Sequence, residues 1–131
     1  MSAGAGPVVA AVVPAAGRGE RLGGGEPKAL LPLGGQPMLA HSVRTLAAGR
    51  VDLVVVAAPS GRVDEVAALL ADAGFTLEET HAVRVFADLV PGSLLDLEPG
   101  ATAALVDLER AVAGRPEYLP LATQVHLLAT R

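Results

Sequence analysis

Six consecutive apolar residues, Val8 to Val13, run straight into Pro14 and then into a loop with glycines at 17, 19, 23, 24 and 25. An apolar run without polar alternation fits a strand buried on both faces, as in a parallel sheet. Five glycines within nine residues bar a helix interior. Arg18, Arg21 and Lys28 are spaced along the same loop. Small residues let backbone N–H groups approach an anion closely, and Arg and Lys neutralise its charge, so a strand feeding such a loop suits phosphate. As loop chemistry alone, a phosphate site and a simple turn both stay open. The loop is not a dinucleotide fingerprint, because Leu22 stands where the third glycine belongs. It is not a Walker A loop either, since Ala29 rather than Ser or Thr follows Lys28.

The core available to this strand is narrow in chemistry. The chain has 131 residues, which favours one domain (1–131). It is 51% hydrophobic but only 2% aromatic, so the core must be Ala, Val and Leu. A net charge of −4 argues against a nucleic-acid partner, which requires a basic face. With no cysteine there is neither a disulfide framework nor a thiolate metal site, which suits the cytoplasm. The N-terminal apolar run lacks the basic flank of a signal peptide and is far short of the ~20 residues that span a bilayer, so no membrane partner is expected.

Along the chain, Pro37 suits the first turn of a helix that carries Leu39, Val43 and Leu46 and stops at Gly49. Leu53 to Ala57 is a second buried strand, expected to lie parallel to the first after a right-handed crossover. Val63, Val66, Leu69 and Leu70 mark a helix that Gly74 ends. Phe75 to Val90 reads as one long extended segment, and Pro91 to Gly100 as a loop. A helix follows from about Thr102 to Ala113, then an alternating strand from Gln124 to Thr130. The expectation is an α/β, Rossmann-like three-layer sandwich: a mostly parallel sheet closed by an antiparallel C-terminal edge.

The longer pattern is more specific than the loop. Val13-Pro14-Ala15-Ala16-Gly17-x-Gly19-x-Arg21-Leu22, then Pro27-Lys28, then Leu33-Gly34-Gly35-x-Pro37-Met38-Leu39 resembles the N-terminal signature of nucleotidyltransferases. Within them it is most similar to the 2-C-methyl-D-erythritol 4-phosphate cytidylyltransferases, to about Leu70. The resemblance implies transfer of a cytidylyl group from CTP to a small phosphorylated polyol, with release of pyrophosphate. It implies that Arg21 and Lys28 are catalytic cations. It also implies that Pro14, Ala15, Ala16, Gly17, Arg18 and Gly19 wrap the nucleotide. Mg²⁺ and a homodimer come with the same resemblance, although the family's metal-holding segment has no counterpart in this sequence and no metal ligand is assigned.

From about residue 74 the texture changes. Leu70 to Thr76, Val83 to Asp88 and Leu119 to Ala129 resemble, over about residues 70–131, the C-terminal end of a class I S-adenosylmethionine-dependent methyltransferase. That divides the chain into a nucleotidyltransferase-like half (1–73) and a methyltransferase-tail-like half (74–131), as in a chimera. A catalytically empty α/β domain and a methyltransferase fragment are therefore the alternatives. His41, His81 and His126 are isolated in sequence and read as structural, solvated and sheet-surface residues, respectively.

Overall fold

The computed structural model describes residue 6, residues 8–17 and residues 25–131. A four-stranded sheet forms the centre, in the order β1 (Ala10–Pro14), β4 (Leu53–Pro59), β6 (Gln124–Thr130), β5 (Thr76–Val83). A short hairpin, β2 (Pro32–Leu33) and β3 (Gln36–Pro37), stands apart from it. Gly34 and Gly35 form its two-residue turn with φ of 61° and 83°. Positive φ at both central positions matches the twist of the strands, and glycine adopts it without a Cβ penalty.

The helices are α1 (Met38–Ala48), α2 (Val63–Asp72), α3 (Gly92–Leu97) and α4 (Ala101–Ala113). β1 and β4 run parallel, with Ala10 opposite Leu53 and Pro14 opposite Ala57. On β4, Val54, Val56 and Ala58 are fully buried, and on β6 so are Val125, Leu127 and Ala129. They join Leu39 and Val43 of α1 and Val66 and Leu70 of α2 in one core. The period-2 burial puts α1 and α2 on one face of the sheet. On the other face Val12 is 75% exposed, and Val55 and Leu128 are only half-buried.

The α/β class and the antiparallel C-terminal edge are as the sequence predicts. The antiparallel part is larger than expected, because β6 pairs antiparallel with both β4 and β5 and only β1–β4 is parallel. The C-terminal strand lies inside the sheet and β5 takes the end position. Charge explains the order. β5 carries Glu78, Glu79 and His81, which suit an edge, whereas β6 has no acidic or basic residue except His126.

Two further expectations are corrected. The extended segment stops at Val83, because Arg84 takes a left-handed φ of 58° and turns the chain. The stretch between the Pro-Gly pairs is not a loop throughout. Pro91 has the φ of −60° that opens a helix, and Gly92–Leu97 forms α3 behind it.

Candidate nucleotide-binding cleft

β1 delivers its last residues to a cleft of about 270 Å³ at the carboxyl end of the parallel strands. Ligands of open α/β sheets collect at that end, where strand gives way to loop. Val13, Pro14, Ala15 and Gly17 line one side, and Lys28 and Ala29 the next. Met38, Leu39 and Ser42 of α1 complete it.

Each wall is fixed locally. The Ala15 N–H donates to the Ala57 carbonyl at 2.7 Å, extending the β1–β4 pairing one residue into the loop. The Ala15 side chain is buried and anchors that point in the core. A Cβ placed on Gly17 would meet no atom of the described residues within 4 Å, so packing against them does not require the glycine. The space it leaves belongs to the cleft that Gly17 lines. Lys28 opens a single 3₁₀ turn, Lys28–Leu30, held by the Leu30 N–H on the Pro27 carbonyl at 2.9 Å. Buried Leu30 pins that turn, so exposed Lys28 stands over the cleft. None of the ion pairs among the described residues uses Lys28. A lysine beside backbone of small residues can neutralise a phosphate.

Of the residues singled out by the sequence, Pro14, Ala15, Gly17 and Lys28 meet in this cleft. Ala16 lies between two of its lining residues in sequence. Arg18, Gly19 and Arg21 fall outside the described residues. No carboxylate is among the described residues that line the cleft, so these offer no ligand set for a magnesium ion. Among the described residues no group of three or more His, Cys, Asp or Glu is placed to hold a metal.

Sequence reasoning missed the clamp on the far end of the loop. Arg62, just before α2, donates to Glu26 at 2.9 Å and to Glu65 at 2.7 Å. Its hydrogen bonds to Glu26 first, then to Glu65, hold its guanidinium more firmly in the charged form. The contact spans 36 residues and ties the chain just ahead of Lys28 to the start of α2. Arg62-x-x-Glu65 is a legible i,i+3 pair, but nothing in the sequence names Glu26 as the third member.

The histidines behave as expected at two positions. His41 binds the Leu33 carbonyl through Nε2 at 2.7 Å, bracing the hairpin against α1, which is a structural role. His81 is paired to Glu79 at 2.9 Å on an exposed face. Among the described residues, no helix is long and apolar enough to cross a membrane.

Residues 9–107 match the family model of 2-C-methyl-D-erythritol 4-phosphate cytidylyltransferase. The chain belongs to the 2-C-methyl-D-erythritol 4-phosphate cytidylyltransferase family. Curated proteins of that name agree. The one from Frankia casuarinae is 64% identical over 67 residues, which is 50% of this chain and 25% of the relative. The one from Streptomyces coelicolor is 60% identical over 77 residues, covering 58% of this chain and 28% of the relative. The one from Saccharopolyspora erythraea is 45% identical over 105 residues, covering 79% and 42%. The chain thus spans between 25% and 42% of the length of these cytidylyltransferases. The family match includes the whole cleft and runs on past Gly74 to residue 107.

Proposed function

We propose that the cleft binds CTP through its phosphates and serves cytidylyl transfer to 2-C-methyl-D-erythritol 4-phosphate. The observation that carries the reading is Lys28 beside the Pro14–Gly17 backbone, with no carboxylate partner among the described residues, in a chain of the cytidylyltransferase family. The backbone of Pro14, Ala15, Ala16 and Gly17, with Arg18 and Gly19, holds the triphosphate. Lys28 and Arg21 stabilise the charge that builds on the α-phosphate as the acceptor phosphate attacks and pyrophosphate leaves. Reactions of this kind depend on positioning and on fixed positive charge more than on covalent help from the protein. Mg²⁺ arrives with the nucleotide, as the magnesium salt of CTP.

The chain acts as one α/β domain in the cytoplasm, with its halves 1–73 and 74–131 sharing a core, and without a nucleic-acid partner. A homodimer fits the position of β1 and β5 at the two ends of the sheet. A second reading, a chimera with a methyltransferase-like tail, draws support from the antiparallel β5–β6 pair. Protection of the fold by S-adenosylhomocysteine would favour it.

Turnover tests the leading reading. Incubated with magnesium CTP and 2-C-methyl-D-erythritol 4-phosphate, the chain is expected to release pyrophosphate. Removing one preorganised charge-stabilising group costs about 10²–10³ in rate, and Lys28→Ala is expected to lose that much. Release that survives Lys28→Ala unchanged would remove the cleft from the reaction.

A further inference from the structure

A second cleft, of about 560 Å³, lies at the other end of the sheet order, against β5, β6 and α4. It shares no lining residue with the Lys28 cleft. His81 and His126 sit directly opposite each other on β5 and β6. In such pairs the Cβ atoms are about 5 Å apart. His126 alternates with buried Val125 and Leu127, so its ring faces away from α1 and α2. The cleft therefore opens on the opposite face of the sheet from the Lys28 cleft. Val83, Ala87 and Ala113 supply apolar wall, and Arg84 and Arg110 bring two guanidinium groups.

The charges around it are unevenly spent. The Glu109 carboxylate, the one acidic group among the described residues of the lining, already accepts the N–H groups of Val85, Phe86 and Ala87 at 2.9, 2.7 and 2.8 Å. Arg84 is paired with Asp88, and His81 with Glu79. Arg110 enters none of the ion pairs among the described residues. Arg84 also holds a left-handed φ of 58°, which a non-glycine residue adopts at a cost. Strain of that kind collects at binding sites. The volume lies within the ~300–1,000 Å³ of small-molecule pockets, which join apolar walls to a few polar groups.

We propose that this cleft binds a small organic anion, with its apolar body on Val83, Ala87 and Ala113 and its charged group on Arg110 and the two imidazoles. The site is independent of nucleotide binding at Lys28. The chain has 3 histidines, so its imidazole Cε1–H signals can be assigned with single His→Gln variants and followed by NMR. Phenyl phosphate is the probe. It is expected to shift the His81 and His126 signals saturably and to leave His41, on the other side of the sheet, in place. Loss of a charge-assisted hydrogen bond costs about tenfold or more in affinity, so Arg110→Gln should raise the half-saturation by at least that factor. Arg110→Lys, which keeps the charge, should retain most of the binding. Three outcomes would overturn the proposal: no saturable shift at His81 and His126, the same titration in Arg110→Gln with its His41 signal intact, or equal shifts from uncharged benzyl alcohol.

Discussion

Glu109→Ala is expected to destabilise the fold by about 2 kcal/mol, although the residue is a charged side chain lining a surface cleft. The carboxylate accepts three successive backbone N–H groups, those of Val85, Phe86 and Ala87, across more than 20 residues of sequence. Hydrogen bonds to a charged group contribute about 1.5–3 kcal/mol each when counted singly, and donors left without a partner add a penalty. Sharing one carboxylate, and access of water to the vacated donors, bring the sum well below three times that figure. The contact also welds α4 to the turn after β5, where the strained Arg84 sits. Urea unfolding of the two proteins checks the magnitude.

The same residue gives a pH signature. Burial raises the Glu109 carboxyl pKa, but the three N–H groups outweigh it and hold the value below the ordinary 4.5. A depressed folded pKa means that the folded state binds fewer protons, so the contribution is complete above about pH 4.5 and fades as pH falls through the folded value. Asp88 behaves similarly, held down first by the Thr123 hydroxyl and then by Arg84. The difference between wild type and Glu109→Gln isolates one group: it should be constant at neutral pH and shrink in acid. A difference that grows below pH 4.5 has the wrong sign for this contact.

Leu127→Ala is expected to cost about 3 kcal/mol, within the 2–5 typical of buried leucines. Leu127 is fully buried on β6, opposite Val56 of β4 on one side and Thr80 of β5 on the other. A central strand has neighbours on both edges, so it cannot shift to close the cavity. A domain of this size has about 5–15 kcal/mol in all, and this single change removes a large share. Leu89→Ala, at a position 77% exposed, should change stability by less than about 0.5 kcal/mol. Equal effects at the two positions would mean that β6 is not the sheet's interior strand.

How much of this was legible follows from the range over which each signal acts. The helices from Met38 and Val63 and the strands at Leu53 and Gln124 are set by local periodicity and by Pro37, Gly49 and Gly74, so the sequence locates them within a residue or two. The break at Arg84 was hidden, because an arginine with φ of 58° carries none of the turn chemistry of glycine or asparagine. α3 was hidden by its flanking Pro-Gly pairs, which read as turns before they read as a helix start. The place of β6 depends on which strand tolerates an edge, and the glutamates of β5 hold that information more clearly than β6 does. In the cleft, the motif carried Pro14 to Gly17 and Lys28, since loop backbone and a cation are local. The Glu26–Arg62 clamp and the Glu109 cradle join segments far apart in sequence, and no spacing rule announces them.

The most direct measurement is a thermal melt with and without magnesium CTP, for wild type and Lys28→Ala. A ligand bound only by the native state adds about 2.7 kcal/mol at 100 times Kd, or about 10 °C in a domain of this size. A cleft that holds the triphosphate on Lys28 predicts that upward shift in wild type and its near loss in Lys28→Ala, with both proteins melting at the same temperature when CTP is absent. A cooperative melt that CTP does not move, or moves equally in both proteins, would contradict the assignment of this cleft as the nucleotide site.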